Sequence, residues 1–366
     1  GLWLEDPKMA QKVLLATSKD LITWVKQADF SLYPDGVNYY NTSINGPWPA
    51  HLPPNGPQGF RDPDVFWNQE LKKYSMLLHA FTADRAQGVF GHYTSEDLIH
   101  WKSEPPLPGI TGGDCPYMMR HAQQWYLIQH MTYSRSSSIR GPFDRQAFDH
   151  GLFAVPKGIY DGRRYLLFAW INTLMDPADS TKDSTDAAPI DGPGIMALPR
   201  EVHFDAQGKM RQKFPAEILN FMNKSEINKE NMSIVKGKEV FFDVPKDYYL
   251  HAKVFLPEPT QNLKIHFRKT KNKADSGYVL NLDCRAKRAE IKSKSYSYGE
   301  DQWQPTPDRL VDVKLFVWGS CVECIIDDAW GITCRAYDHR DGVLSIETTG
   351  SIPVFVEQLQ LKTRQD

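Results

Sequence analysis

The sequence has no apolar run close to the ~20 residues that a membrane-spanning helix needs, so it predicts no membrane partner. It also lacks an excess of charge of one sign. Its net charge of −2 favours neither a nucleic acid nor an anionic membrane surface as a partner. No phosphate-binding glycine loop and no Gly-x-Ser-x-Gly motif occurs, which argues against nucleotide-dependent enzymes and serine hydrolases.

Cysteine is scarce, and the 5 residues present cannot all form disulfides within the chain. Cys321 and Cys324 share the segment CVEC. Alternation along a strand would point these two side chains to opposite faces, which argues against a zinc or redox site. The histidines stand singly and lack the spacing of metal ligands. The sequence therefore predicts no metal site.

A repeat is present, and it is set among many short strand-like segments. ATSKDLITW at 16–24 recurs as YTSEDLIHW at 93–101. KYSMLLHA, QWYLIQHM and RRYLLFAWI each follow a polar turn and indicate a buried strand. Units of this size with several short strands and Gly, Pro, Asn or Asp turns are typical of propeller blades. A β-sandwich with chance similarity is the alternative, and the matched order of the segments favours the propeller.

The pattern changes near Met222. NKSEINKENMS is polar and is interpreted as part of a linker, and the segments beyond it alternate like the strands of a sandwich. The fold class predicted is all-β, a β-propeller followed by a C-terminal β-sandwich. The expected boundaries are a propeller over 1–220, a linker over 221–235 and a sandwich over 236–366, and an incomplete first blade is an open alternative.

Carboxylates occur where two successive blades begin. Asp62 lies in GFRDP beside Arg61, and Asp114 lies in the Asp-Cys-Pro segment. The first strands of propeller blades line the central axis, so residues that open them converge at one mouth. A proline after the carboxylate is expected to hold the preceding backbone extended. Two carboxylates at one mouth resemble a glycoside-hydrolysis site, whereas each motif alone would more often be a turn cap or an ion pair.

These segments resemble glycoside hydrolase family 32, the invertase, inulinase and levanase family of β-fructosidases. The resemblance extends over nearly the whole chain. It rests on FRDPDVFW at 60–67, GGDCPYMM at 112–119, FDHGLFAVPKGIYDGRRYLLFAWI at 148–171, GIMALPREVHFDAQGKMRQKFPAEI at 194–218 and VWGSCVECIIDDAWGITCRAY at 317–337.

The resemblance implies a five-bladed propeller, no metal or organic cofactor, and release of fructose with retained configuration. It implies that Arg61 and Asp62 hold the fructosyl hydroxyls and stabilise the transition state, and that Asp114 is the general acid/base. The family has glutamate at this last position. Its nucleophile motif is expected before residue 1, and the nearest substitute, WLEDPKM at 3–9, nominates Asp6.

Aromatic side chains near the blade openings, among them Phe60, Trp67 and Trp170, are candidates for stacking on sugar rings, with a place in the core as the alternative. The function expected is hydrolysis of β-fructofuranosyl linkages in sucrose or fructan-type oligosaccharides, with such a saccharide as the binding partner. Two alternatives stay open: a carbohydrate-binding relative without the nucleophile, and a hydrolase of another furanoside such as arabinan.

Overall fold

The computed structural model describes residues 11–46, 59–110, 112, 114–171, 195–271, 273, 276–294, 296–337 and 339–365. Almost all of the regular structure in these residues is β, and the two helices, α1 (Thr42–Asn45) and α2 (Ala216–Phe221), are short. In the part of the chain that is described, no helix has the length and hydropathy needed to cross a membrane. The chain divides into two compact units, Gly1–Gln146 and Ala147–Asp366.

The first unit is built from three antiparallel sheets in chain order. A hairpin joins β1 (Ala16–Thr17) to β2 (Val25–Lys26). The next sheet contains β3 (Phe60–Asn68), β4 (Lys73–Phe81), β5 (Gly88–Ser95) and β6 (Lys102–Glu104). The third contains β7 (Tyr117–His121), β8 (Gln124–Gln129), β9 (Thr132–Ser136) and β10 (Asp144–Ala147). In both four-stranded sheets each strand pairs with its neighbours in sequence, which is the strand order of a propeller blade.

The repeat seen in the sequence forms the same turn twice. Asp20 Oδ1 accepts hydrogen bonds from the backbone N–H groups of the residues two and three positions on, and Asp97 Oδ1 does the same. These backbone hydrogen bonds lower the pKa of Asp20 to about 2 and also lower the pKa of Asp97. In each copy the indole of the tryptophan, Trp24 or Trp101, donates to a backbone carbonyl three residues earlier. The repeat therefore encodes a turn, with the aspartate as its cap.

The second unit begins with a five-stranded antiparallel sheet. Its path runs through β11 (Phe153–Tyr160), β12 (Tyr165–Ile171), β14 (Arg200–Phe204) and β15 (Met210–Lys213), and β13 (Ile195–Met196) pairs with β12. Helix α2 follows β15, and its N-cap residue Pro215 provides no side-chain hydrogen bond.

Two six-stranded antiparallel sheets complete this unit. One has the order β16-β27-β18-β23-β24-β25 and the other β17-β26-β19-β20-β21-β22. Their strands are β16 (Lys224–Ile234), β17 (Val240–Phe242), β18 (Tyr248–Phe255), β19 (Asn262–Lys269), β20 (Tyr278–Asp283), β21 (Arg288–Lys292), β22 (Ser297–Asp301), β23 (Leu310–Trp318), β24 (Cys321–Ile326), β25 (Trp330–Arg335), β26 (Val343–Thr348) and β27 (Val354–Thr363).

The two six-stranded sheets share one apolar core. Leu250 and Leu315 from the first sheet join Ile265, Leu280 and Ile346 from the second in a single buried cluster. Sheets that bury alternate residues against each other in this way form a β-sandwich. Cys321, which lies in CVEC, is buried.

The expected linker at 221–235 is corrected by the structure. Strand β16 fills most of it and pairs antiparallel with β27 from Lys224 to Ile234. It is the edge strand of its sheet and most of its side chains are exposed. A polar edge strand protects a sheet against further pairing, and its sequence therefore looks like that of a linker. The boundary between the domains at residue 220 stays a prediction.

Candidate active site

Strand β3 opens with a bulge that positions the first carboxylate. Arg61 pairs with His79 of β4, but the next pair is Asp64 with Leu77, so the register shifts at Asp62. Asp62 has φ of 58°, in the left-handed region. A bulge of this kind bends the strand and redirects a side chain. The extended backbone expected before Pro63 is therefore not what the structure shows.

Strand β7 is held against the opening of β3 by a carboxylate. Asp64 Oδ2 accepts a hydrogen bond of 2.7 Å from the backbone N–H of Met118. Residue 115, which precedes the proline of the Asp-Cys-Pro segment, also has a positive φ, 46°. The two openings thus repeat one backbone feature, and the bond from Asp64 brings Asp114 to the same place as Asp62.

Arg61 lies between the two carboxylates. Its Nε is 3.3 Å from Asp62 Oδ2, and its Nη2 is 3.3 Å from Asp114 Oδ1. The three side chains are between 29% and 38% exposed, so solvent and a ligand can reach them. The convergence expected from the sequence is present for these three residues.

Cys115 is the fourth member of this group. Its thiol donates to Asp62 Oδ2 at 3.3 Å and lies 3.8 Å from Asp114 Oδ1. The thiol is a weak hydrogen-bond donor, so its contribution is to place Cys115 beside both carboxylates.

The pKa of the Asp114 carboxyl is lowered. Partial burial acts to raise it, but the Arg61 guanidinium, His79, a hydrogen bond with Asp62 and His130 together outweigh burial. A general acid at neutral pH normally has a raised pKa, because it must hold a proton until the leaving group departs. Asp114 is therefore held mainly as a carboxylate, a form suited to hydrogen bonding with sugar hydroxyls and to action as a base.

Asp62, Asp114 and Cys115 also offer three possible metal ligands within 4.8 Å of one another. The guanidinium of Arg61 contacts both carboxylates and already supplies the positive charge that a cation would bring. A divalent ion there would meet a fixed cation at close range, so this donor set does not suit one.

The other residues proposed from the sequence have separate outcomes. Phe60 is 3% exposed and packs with Tyr39 and Tyr93 in the core, which is the alternative that the sequence left open. Trp170 is 40% exposed on β12 in the second unit, and its stacking role stays a prediction. Asp6 lies outside the described residues, so its role as nucleophile stays a prediction as well.

Sequence reasoning missed four residues of the site, namely Asp64, His79, Cys115 and His130. Asp64 and Cys115 stand inside the motifs that were singled out, but their contacts across strands are not visible in a sequence. His79 was regarded as an isolated strand histidine. It is 8% exposed, and the pairing of β3 with β4 sets it opposite Arg61.

Comparisons with known proteins identify a family that the chain is similar to. Residues 26–119 match the family model described as the glycosyl hydrolases family 32 N-terminal domain. This range includes all of Arg61, Asp62, Asp114 and Cys115. An insoluble beta-fructofuranosidase isoenzyme of Arabidopsis thaliana is 22% identical over an alignment of 230 residues, which covers 53% of this chain and 40% of that protein. The chain thus covers less than half of that relative's length.

Solved structures show the same fold. The exo-inulinase of Aspergillus awamori superposes with a TM-score of 0.70 at 13% identity, covering 99% of this chain and 76% of that one. A variant of fructan 1-exohydrolase IIa from Cichorium intybus, solved in complex with 1-kestose, gives a TM-score of 0.67 at 15% identity, covering 96% and 78%. The resemblance expected from the sequence is confirmed: the chain is distantly similar to glycoside hydrolase family 32, and its relatives include β-fructofuranosidases and fructan exohydrolases.

Proposed function

We propose that the chain is a retaining β-fructosidase that hydrolyses β-fructofuranosyl linkages of sucrose or fructan-type oligosaccharides. The proposal rests above all on one observation: Arg61 joins the carboxylates that open β3 and β7. A relative solved with 1-kestose supports an oligosaccharide as the ligand. The blade-like sheets of the first unit support a five-bladed propeller as the fold that holds the site.

In the proposed mechanism the three side chains have separate roles. Arg61 and Asp62 bind the fructosyl hydroxyls, and the carboxylate of Asp62 stabilises the positive charge that develops on the ring. Asp114 gives its proton to the leaving oxygen, a carboxylate forms the covalent fructosyl intermediate, and Asp114 then takes a proton from the water that hydrolyses it. Asp6 is the residue proposed as the nucleophile.

A second function, carbohydrate binding without catalysis, is favoured by the electrostatics of Asp114. Arg61 contacts both carboxylates, and the lowered pKa of Asp114 opposes its protonation. Two aspartate side chains beside a guanidinium bind sugar hydroxyls without any need for a proton donor. Carbohydrate binding would use the same contacts of the site but would need no general acid.

Fructose release from sucrose, 1-kestose, inulin and levan distinguishes the two, with an arabinan oligosaccharide as the test for another furanoside. The variants are Asp62→Asn, Asp114→Asn and Asp6→Asn, and Asp29→Asn, an exposed carboxylate of the same unit, is the control. The fructosidase proposal expects release that all three site variants reduce by at least about a hundredfold and the control leaves unchanged.

Binding of these sugars without release would support the second function. Release from the arabinan oligosaccharide alone would show that the substrate is another furanoside and not a fructoside. The absence of both binding and release would reject both proposals for these sugars.

A further inference from the structure

A cavity of about 680 Å³ opens in the second unit, where β19 ends beside the start of β26. Three segments line it: Lys246 before β18, residues 269–271 at the end of β19, and residues 339–343 leading into β26. Among the described lining residues, Asp341 carries the negative charge. The cationic ones are Lys246, Lys269, Lys271 and Arg340.

The backbone around this cavity is fixed by a close approach of two segments. The register of β19 against β26 shifts between His266 and Lys269, and Arg268 within the shift has φ of 56°. A Cβ on Gly342 would lie 2.2 Å from the carbonyl carbon of Arg268, so only glycine fits there. Arg268 is buried and donates to the carbonyl of Ala336. This close approach fixes the end of β19, which carries Lys269.

One cation of this cavity is buried, whereas two others are exposed. Lys269 is 5% exposed, and its Nζ lies 2.5 Å from Glu239 Oε1, which also accepts a hydrogen bond from Ser345. Lys246 and Lys271 pair with carboxylates that are 82% and 83% exposed. Exposed pairs of this kind contribute little free energy, so both ammonium groups can turn to a ligand at small cost.

We propose that this cavity binds a multiply charged tetrahedral oxyanion, a phosphate or sulfate group that is free or carried on a sugar. Such a group accepts several charge-assisted hydrogen bonds at once, and cations from three segments surround the cavity. Positively charged residues outnumber the negative one in the lining, and a concave site lined mainly by one sign of charge concentrates counter-ions. No part of this inference depends on the site at Arg61.

Isothermal titration of the full chain tests the proposal, with sodium phosphate, sodium sulfate and glucose 6-phosphate as separate probes and sodium chloride at matched ionic strength as the blank. The variants are Lys271→Gln and Lys246→Gln. Lys209→Gln, an exposed lysine in the β14–β15 turn, is the control with the same change of charge. Circular dichroism of each variant verifies that the fold is kept.

The expected result is saturable binding of one ion per chain, weakened about fivefold by either cavity variant and unchanged by the control. Tighter binding of glucose 6-phosphate than of phosphate would identify a sugar-borne group, and equal binding would identify the free ion. Two results would overturn the proposal: no heat beyond the chloride blank, and equal weakening by Lys209→Gln, which would indicate only the general charge of the surface.

Discussion

Two arginines, each close to carboxyl groups, have opposite environments. Arg61 is 29% exposed and contacts Asp62 and Asp114 at 3.3 Å each. Arg200 is fully buried, and its Nη2 lies 2.6 Å from Glu323 Oε2. The first arginine has room for a ligand, whereas the second is enclosed by protein.

All three nitrogens of the Arg200 guanidinium donate hydrogen bonds. It donates to Gln212, to the backbone carbonyl of Leu198 and to the hydroxyl of Thr333. It also lies over the ring of Phe214, 4.6 Å from the centroid. Because every direction is occupied, this arginine fixes the packing of β14 against β24 and β25.

The carboxyl groups respond in opposite directions. Full burial raises the pKa of Glu323 and of Asp149, although Arg200 acts to lower both. At Asp114, which is half-buried, Arg61 and its neighbours outweigh burial and the pKa falls. Proximity to an arginine therefore does not decide the charge of a carboxyl group; the balance between desolvation and the nearby positive charge does.

The largest expected effect is on stability at the buried arginine. Arg200→Met would leave Glu323 without its counter-charge, and we expect a loss of about 3–5 kcal/mol in the free energy of unfolding. Urea unfolding followed by tryptophan fluorescence measures this loss. The matched control is Arg61→Met, for which we expect a loss below about 1 kcal/mol. Equal losses would remove the distinction between the two arginines.

The next effect is on activity at the exposed arginine. Arg61→Gln keeps a hydrogen-bond donor but loses the charge, and we expect kcat/KM for fructose release to fall about a hundredfold, or about 2.7 kcal/mol in transition-state stabilisation. Steady-state kinetics on sucrose or 1-kestose check this value. An unchanged kcat/KM would show that the arginine is structural here too.

Restoring the longer carboxylate should increase the rate. Asp114→Glu adds one methylene and roughly 1.3 Å of reach, and a general acid needs hydrogen-bonding contact with the leaving oxygen. We expect about a tenfold gain in kcat, measured with saturating substrate. A loss of rate would mean that the strand opening is already fitted to aspartate.

The smallest effect concerns stability and pH at Glu323. Its folded pKa is raised above the unfolded value of 4.5, so its contribution to stability is complete below pH 4.5 and is lost as the pH rises through the folded pKa. Between pH 4 and pH 8 the free energy of unfolding of Glu323→Gln should therefore fall by about 1 kcal/mol less than that of the unaltered chain. Unfolding free energies across this range give the comparison, with Glu226→Gln, an exposed carboxyl, as the control whose slope should not flatten. A slope in Glu323→Gln as steep as that of the unaltered chain would contradict the burial argument.

The sequence predicted the convergence of three side chains better than the backbone that carries them. Arg61, Asp62 and Asp114 could be found because turn residues and carboxylates recur where successive strands begin. The bulge at Asp62 could not be found, because a register shift depends on the partner strand and proline statistics favour an extended neighbour. Strand β16 was interpreted as a linker for a related reason, since an edge strand needs no apolar face that periodicity could reveal.

The sequence does not reveal that Arg200 is buried, although this arginine lies in the segment 194–218 that resembles the family. Nothing in the sequence distinguishes an arginine that pairs within a core from one that faces solvent, because the distinction depends on contacts such as that of Arg200 with Glu323 across β14 and β24. Long-range pairing thus separates what a sequence can predict from what only a structure shows.

The most direct test of the account is the pH dependence of fructose release from 1-kestose by the unaltered chain between pH 4 and 7. Asp114 must be protonated to act as the acid, and its pKa is lowered because Arg61 and the other neighbouring groups outweigh partial burial. The account predicts release whose kcat/KM falls about tenfold for each pH unit as the pH rises. Release that stays constant or rises over this range would contradict the role of Asp114, and the absence of release at every pH would contradict the proposed fructosidase activity.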